Sequence, residues 1–458
     1  MRSRFIRLLT PGAAFSLGLR IRLVIILGFL LLGAYNNPET WENGTIASYI
    51  WNGEGFSAAW GGVPEPTSYQ APVYPYLLCA VWRVFGQRPA AYLFLALLQS
   101  LAVCSMIFPI HKLTRHWFGD LPAIIAAWAC ALSPVFLWFP ARMHHTALVM
   151  GFHPWLVLGW VTLTDDWNRP MSEPGNATPQ SARRRALFAI GVGALTGFAG
   201  LTQPVLLPVY GLFALLCIIT QLVQRRSREA VRVLVAGAAT LLVLTPWTIR
   251  NYRVHGRLIL VKNGFGKEFW MGNNPFSNGT SFADGGEVEI TIQHPPKAFA
   301  RRGELSEMEL MDALEAEAME YIRAEPGAFV DRTAHKILWF WTFPPERVAR
   351  SYGRATMFVH SIHNAYWMAF LALALLAAWT RRIPRQYVVI LVMYVVVYSV
   401  AYGLIHVGQP RYRGEIESIF LPLVGAGAAW VLERLRPGTS NALASTATAK
   451  QRSPMLPV

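Results

Sequence analysis

The sequence predicts an all-α polytopic membrane protein with about ten transmembrane helices. Of its 458 residues, 53% are hydrophobic and 15% are charged, whereas soluble proteins carry a charge on about a quarter of their residues. Apolar runs recur along the chain, and about 20 such residues are enough to cross a bilayer as a helix. Arginine clusters separate the runs, as in cytoplasmic loops, and this bias explains the net charge of +15 without nucleic-acid binding.

The first apolar run follows a basic N-terminal segment, and no small-residue cleavage site comes after it. This pattern predicts an uncleaved signal anchor. All cysteines lie inside apolar runs without a CxxC pair, so we interpret them as buried apolar side chains and not as disulfides or metal ligands. They are Cys79, Cys104, Cys130 and Cys217.

Charge bias orients the predicted spans. The segment 72–86 is too short to cross a bilayer and contains Pro75 and Arg83, so we expect a helix lying in the membrane interface. With this segment excluded, the basic clusters between spans all fall on one side, which predicts cytoplasmic termini. The predicted spans are 19–35, 89–110, 121–140, 146–164, 185–202, 204–223, 229–249, 355–379, 386–406 and 414–433.

The chain is therefore expected to fall into four parts. They are a transmembrane core over 1–250, which has seven spans and an acidic first extracytoplasmic loop at 36–88 with juxtamembrane helices; an extracytoplasmic insert at 251–352; three C-terminal spans over 353–436; and a disordered cytoplasmic tail at 437–458.

The insert is predicted to be a small mixed α/β unit. Ser306 and Glu309 form a capping-box pattern ahead of an amphipathic helix. Pro326 ends that helix, and a second one is expected over 327–343. The stretch 258–293 is rich in Gly, Asn and short β-branched runs, which favours loops with a few short strands.

The first candidate site residues are the glutamates of the acidic loop, which holds no lysine or arginine between residues 36 and 71. Glu39 and Glu42 are three residues apart, so both would project from one face of a helical turn. A carboxylate beside apolar surface has a raised pKa and can act as a general base near neutral pH. The alternative is that one of them caps an interfacial helix.

A second cluster, at 139–148, places Arg142, His144 and His145 at a membrane edge. One of the histidines could line a site or simply pack. Neighbouring side chains on a helix point in different directions, so the pair is weak evidence for a metal site.

Arginines on the predicted extracytoplasmic side form the remaining clusters. Arg250 lies where the seventh span ends, and Arg411 and Arg413 lie between the last two spans. Arginines that violate the charge bias need a partner, and bidentate binding of phosphate is the leading one. Ion pairs with Glu415, Glu417 or the acidic loop are the alternative.

Four motifs, taken in order, resemble a known family. They are IASYIWNGEGFS, PVYPYLLCAVWRVFG, TPWTIRNYRVHGRLILVKNGFGKEFWMGNNP and QPRYRGEIESIFLPL. Over roughly 20–435, the chain resembles bacterial GT-C glycosyltransferases of the family-39 type, relatives of protein O-mannosyltransferases and of the aminoarabinose transferase that modifies lipid A.

The resemblance implies transfer of a sugar from a polyprenyl-phosphate carrier to an acceptor hydroxyl, usually with inversion. The acceptor would be a glycan, a lipid or a protein, and the site would face the extracytoplasmic side of the bacterial inner membrane. By position, Glu39 or Glu42 would activate the acceptor. Arg411, Arg413 and Arg250 would hold the phosphate, in some members with a divalent metal ion, and no other cofactor is implied.

Two departures from the family pattern bear on the site. An Asp-Glu pair that many members carry is replaced by Glu39 and Thr40, whereas Glu42 matches a single glutamate of closer relatives. His144, His145 and Thr146 stand where an acidic residue is common, which leaves metal binding open.

Two other functions fit many spans and clustered charges. A transporter or flippase of a lipid-linked sugar would show inverted repeats and broken helices at mid-membrane, and no repeat is visible in the sequence. A non-catalytic protein using the insert as a binding module would not need the loop glutamates or the arginine pair.

Overall fold

The computed structural model describes residues 10–164, 179–281, 289–342 and 353–435. The predicted tail at 437–458 lies outside the described residues. The described chain is almost entirely helical, and its only sheet is a pair of two-residue antiparallel strands, Ser57–Ala58 and Glu65–Pro66, in the first loop.

The α-helices are Pro11–Leu31, Trp41–Trp51, Val73–Phe85, Pro89–Ser105, Ile107–Phe118, Asp120–Leu132, Pro134–Trp138, Thr146–Leu163, Pro179–Gly200, Leu206–Val223, Ser227–His255, Phe265–Gly272, Ile290–Gln293, Glu307–Ala324, Pro326–Trp341, Gly353–Thr380, Arg385–Val400, Pro410–Ile416 and Leu421–Arg434. Short 3₁₀ turns occur at Phe139–Ala141, Lys297–Arg301 and Glu417–Phe420. A π-helical segment covers Ala401–Ile405 and continues the helix before it.

Eight helices in the described part of the chain are long and apolar enough to span a membrane, and a bent pair, Asp120–Leu132 with Pro134–Ala141, would make nine. The protein is therefore a multi-span membrane protein. The sequence predicted about ten spans. The fifth predicted span, 185–202, forms most of the helix Pro179–Gly200, whose N-terminal half carries three consecutive arginines at 183–185. It is not among the eight.

The short segment predicted to lie in the interface does form a helix, Val73–Phe85, and its 13 residues are too few to cross a bilayer. One face is buried, with Leu78 and Val81 packed inward, while Val84 faces outward.

The insert contains the predicted capping box. The Ser306 hydroxyl accepts a hydrogen bond from the Glu309 N–H, and Glu309 Oε2 accepts one from the Ser306 N–H at 2.9 Å. The short strands expected between 258 and 293 are absent from the described part of that stretch, which forms the helices Phe265–Gly272 and Ile290–Gln293. Aromatic pairing at helical spacing outweighs the local β preference, since the rings of Phe265 and Phe269 stack 5.2 Å apart.

Two neighbouring helices, Pro179–Gly200 and Ser227–His255, pack closely through a small-residue seam. A Cβ placed on Gly193 would lie 2.0 Å from the carbonyl oxygen of Ala236, and one on Gly197 would lie 2.8 Å from that of Thr240. The absence of side chains at these positions is what allows the two backbones to approach.

Gly193→Ala is therefore expected to destabilise the protein by about 1–3 kcal/mol, because the added methyl group overlaps the facing backbone. The measurement is the thermal unfolding midpoint of the purified protein in detergent. Gly191→Ala on the same helix is the control, since a Cβ at Gly191 meets nothing within 4 Å. Equal midpoints for the two variants would contradict this packing.

Candidate active site

A cavity of about 890 Å³ opens where the first loop, the insert and the turn before Pro410–Ile416 meet. The helix Phe265–Gly272 and the loop helix Trp41–Trp51 both contribute to its wall. Three of the four predicted clusters reach it. The sequence-predicted residues that line it are Glu39, Glu42, Arg142, His144, His145 and Arg411.

Glu39 forms an ion pair with Arg142. Its Oε2 lies 2.8 Å from Arg142 Nη2, and the glutamate side chain is 69% exposed. Arg142 also lies over the ring of Trp41, 5.3 Å from its centroid. Glu39 therefore already has a charged partner at the edge of the cavity.

Glu42 lies in the first turn of the loop helix and is 41% exposed. Its Oε1 is 3.7 Å from Lys267 Nζ, and the same ammonium lies 3.3 Å from Glu289 Oε1. Burial alone would lower the pKa of Lys267, but Glu289, Glu42 and Glu268 outweigh it, so its pKa is raised and the lysine stays charged.

The residue before Glu42 has an unusual backbone conformation. Trp41 has φ +47°, which non-glycine residues adopt at a cost of about 1–3 kcal/mol. Its ring meets the ring of His144 edge to face at 5.1 Å. This packing and the guanidinium of Arg142 hold Trp41 in place, and they fix the start of the helix that carries Glu42.

Arg411 reaches the cavity from the first turn of Pro410–Ile416. Its Nη2 donates to the Tyr412 hydroxyl at 2.6 Å, and its Nε is buried without a hydrogen-bond partner. No carboxylate within 4 Å of Arg411 is recorded in the described chain. It therefore has donors left for an anionic ligand.

Arg413 lies elsewhere, contrary to the prediction that it holds phosphate with Arg411. Its side chain is 0% exposed, and its Nε donates to Glu417 Oε1 at 2.9 Å. Residues two apart on a helix point to different sides, so Arg413 turns into the bundle, over the ring of Trp367. An ion pair with Glu417 was the alternative reading of the sequence, and it is the one observed.

Arg250 also lies outside the lining of the cavity. Its Nη1 donates to the carbonyl oxygen of Thr67 at 2.6 Å and its Nη2 to that of Phe56 at 2.9 Å. Its guanidinium is 4.9 Å from the ring centroid of Trp247. The prediction that Arg250 binds phosphate does not match these contacts, which tie the first loop to the end of the seventh span.

Of the two neighbouring histidines, His144 is buried and His145 is partly buried, and the pKa of each is lowered. Burial, together with the charges of Lys262 and Arg411, lowers the pKa of His145 to about 3. Burial and then His145 lower that of His144. His144 Nδ1 accepts from the backbone N–H of Thr146, so this nitrogen is used by the chain itself.

The donor set does not fit a metal ion. Across residues 10–164, 179–281, 289–342 and 353–435, no three His, Cys, Asp or Glu side chains are grouped to hold one. Cationic side chains accompany the two loop glutamates instead, Arg142 beside Glu39 and Lys267 beside Glu42.

Several lining residues were not singled out from the sequence. They are Lys262, Lys267, Glu268, Glu289, His406 and Tyr412. Lys262 and Lys267 are basic residues on the predicted extracytoplasmic side, the same signal that drew attention to the arginines. The others carried no signal of their own, because only tertiary packing brings the insert against the turn at 401–412.

Comparison with known proteins shows similarity in structure. No family model matches the chain, and no curated protein gave a significant match. The apo oligosaccharyltransferase of Archaeoglobus fulgidus superimposes with a TM-score of 0.53 at 14% identity, over 94% of this chain and 52% of that one.

Two further structures match the chain at similarly low identity. AglB from Archaeoglobus fulgidus, an oligosaccharyltransferase in complex with an inhibitory peptide and a dolichol-phosphate, gives a TM-score of 0.52 at 13% identity, over 98% of this chain and 52% of that one. ArnT from Cupriavidus metallidurans, bound to undecaprenyl phosphate, gives a TM-score of 0.36 at 14% identity, over 89% of this chain and 77% of that one.

The oligosaccharyltransferase structures confirm the predicted fold class: the chain has a GT-C membrane fold. It spans about half the length of those structures. At this level of identity, the similarity establishes the fold, and the activity is argued from the cavity.

The two late arginines should respond differently to substitution. Arg413→Gln is expected to lower the free energy of unfolding by about 3 kcal/mol, because it leaves the Glu417 carboxylate buried with one partner fewer. Arg411→Gln should leave the thermal unfolding midpoint within a few degrees and weaken ligand binding instead. Thermal unfolding in detergent measures the midpoint of each variant. An Arg413→Gln protein as stable as the wild type would contradict the structural role of Arg413.

Proposed function

We propose that the protein transfers a sugar from a polyprenyl-phosphate donor to an acceptor hydroxyl, with inversion, on the extracytoplasmic face of the bacterial inner membrane. The observation that carries the proposal is the composition of the cavity. The carboxylate of Glu42 lies in a wall that also contains Arg411, Lys262 and Lys267. A base and several cations around one space are what glycosyl transfer from a phosphate requires.

In the proposed reaction, Glu42 accepts the proton of the acceptor hydroxyl as its oxygen attacks the anomeric carbon. The new carbon–oxygen bond forms as the bond between that carbon and the phosphate oxygen breaks. The electron pair leaves with the lipid phosphate, whose growing negative charge Arg411, Lys262 and Lys267 stabilise. Attack from the face opposite the leaving group inverts the anomeric carbon, and no step passes through a metal ion.

Glu42 is favoured over Glu39 as the base by their partners. A base must be free to contact the acceptor hydroxyl, and Glu39 Oε2 already binds Arg142 Nη2 at 2.8 Å. Glu42 faces Lys267 at the longer distance of 3.7 Å, and Glu289 shares that lysine. The chain thus leaves Glu42 less tightly paired.

The proposed topology places the membrane around the long helices, with the termini in the cytoplasm. The transmembrane core 1–250 and the three C-terminal spans in 353–436 would hold the lipid donor. The insert 251–352 would cover the cavity from outside and contribute Lys262, Lys267 and Glu268 to it. The acceptor, whether glycan, lipid or protein, would approach from the extracytoplasmic side.

Glu42→Gln is expected to lower turnover at least about 100-fold, because a general base contributes that much to such a reaction. Sugar transfer from radiolabelled polyprenyl-phosphate donors to membrane acceptors measures it. Glu39→Gln should retain most of the activity. Glu54→Gln, in the same loop but outside the cavity lining, is the matched control. Full turnover by Glu42→Gln would exclude this base.

The same assay separates transfer from transport. A transferase consumes the labelled donor and leaves free lipid phosphate, whereas a flippase moves the donor across the membrane unchanged. Donor that appears intact on the opposite face of proteoliposomes, with no label in any acceptor, would contradict the proposal.

A further inference from the structure

A chain of four polar side chains crosses one wall of the cavity. Glu268 comes from the insert helix Phe265–Gly272, while His406, Tyr412 and Arg411 come from the turn and helix that follow the π-helical segment. Glu268 Oε2 lies 2.9 Å from His406 Nδ1, and His406 Nε2 lies 2.6 Å from the Tyr412 hydroxyl. That hydroxyl accepts from Arg411 Nη2 at 2.6 Å.

The directions of these contacts form one consistent pattern. The Tyr412 hydroxyl accepts from Arg411, so its single proton is free to be donated to His406 Nε2. The remaining ring proton of His406 then belongs on Nδ1, whose 2.9 Å contact with the Glu268 carboxylate is a close electrostatic contact without hydrogen-bond geometry. Burial alone would raise the pKa of Glu268, but His406 and the lysines nearby outweigh it and the pKa is lowered, so the carboxylate stays charged.

The backbone around these four side chains is held by close packing. A Cβ on Gly272 would lie 2.4 Å from the carbonyl oxygen of His406, so the end of the insert helix touches this turn directly. Asn273 Nδ2 donates to the carbonyl oxygen of Leu404 at 3.0 Å. The π-helical segment Ala401–Ile405 ends immediately before His406, and such segments often occur at functional sites.

Arg411 depends on the other three side chains of this set for its orientation. Its contact with Tyr412 is its single recorded hydrogen bond in the described structure, and its guanidinium lies 4.7 Å from that tyrosine's ring centroid. Tyr412 is fixed in turn by stacking on Tyr402 at 4.2 Å. A guanidinium held through one nitrogen keeps its remaining donors for a ligand.

We propose that Glu268, His406 and Tyr412 are positioning residues that orient Arg411 toward the phosphate of a polyprenyl-phosphate ligand. The insert then acts on the phosphate site as well as covering it. This inference rests on the proposed function for the nature of the ligand, and its geometry stands on the three contacts that join these four side chains.

The test compares the binding of undecaprenyl phosphate and of undecaprenol, the same lipid without the phosphate, by the full-length protein in detergent. Tyr412→Phe keeps the ring and removes the hydroxyl. It should reduce the affinity for undecaprenyl phosphate about tenfold to a hundredfold, the range of a hydrogen bond to a charged group. The affinity for undecaprenol should not change. Glu268→Gln and His406→Phe should shift the preference in the same direction.

The insert supplies matched controls. Tyr321 accepts a hydrogen bond from Arg332 at 2.9 Å and lies under its guanidinium at 5.1 Å, so it repeats the arginine–tyrosine contact away from the cavity lining. Tyr321→Phe and Glu309→Gln should keep the wild-type preference for phosphate. In a double-mutant cycle, Tyr412→Phe should add little to the loss caused by Arg411→Gln, because both remove one interaction.

The outcomes separate the two proposals. If Tyr412→Phe keeps the full preference for the phosphorylated lipid, or if its effect adds fully to that of Arg411→Gln, the positioning role is wrong even where sugar transfer is observed. If the preference depends on Tyr412 but no sugar is transferred, the positioning role stands and the transferase function falls. A wild-type protein that does not distinguish the two lipids would overturn the positioning role.

Discussion

The buried carboxylate of Glu307 anchors the first loop to the insert, and the shape of the cavity depends on this contact. Glu307 accepts hydrogen bonds from the Thr67 hydroxyl, the Ser68 backbone N–H and the Trp60 indole. Burial raises its pKa, and these donors partly oppose the rise. A carboxylate taken out of water is stabilised only by such donors, so each donor limits where the loop can lie. Tyr69 and Gln70, the next residues along the chain, line the cavity.

Arg250 completes this anchor from the membrane side. It binds the carbonyl oxygens of Phe56 and Thr67, while Glu307 binds donors on residues 60, 67 and 68. The extended part of the loop is thus held by a cation at its acceptors and by an anion at its donors. Arg250 and Glu307 therefore bind groups of the first loop and not a ligand. A long loop that lies on the insert has backbone N–H and C=O groups that need partners.

The basic residues that violate the predicted charge bias therefore divide into two kinds. Arg250 and Arg413 are committed to carbonyl oxygens or a carboxylate of the chain. Arg411 and Lys262 line the cavity, as does Lys267, which is shared between two glutamates. Charge bias alone identifies the side of the membrane on which a cation is unexpected. It does not separate these kinds, because the difference lies in tertiary contacts.

Hydropathy predicted most of the helices, because a segment in a bilayer must satisfy its backbone internally. Length predicted that Val73–Phe85 would not span, and side-chain chemistry predicted the capping box at Ser306. The helix Phe265–Gly272 was missed. Its glycines read as loop signals, yet Gly266 is required where a Cβ would lie 2.0 Å from the carbonyl oxygen of Met311. Glycine is common both in loops and where two helices approach closely, so its presence alone does not distinguish them.

The two loop glutamates also show what sequence spacing alone cannot predict, here within one helical turn. Their spacing placed both on one face only if a helix covered both, and the loop helix begins at Trp41. Glu39 precedes it, and the left-handed backbone of Trp41 turns the chain between the two carboxylates. They consequently meet different cations, Arg142 and Lys267. A carboxylate 2.8 Å from a guanidinium must give up that contact to bind an acceptor hydroxyl, whereas one 3.7 Å from a shared ammonium gives up less. The backbone conformation of a single tryptophan is thus what distinguishes two otherwise equivalent acids.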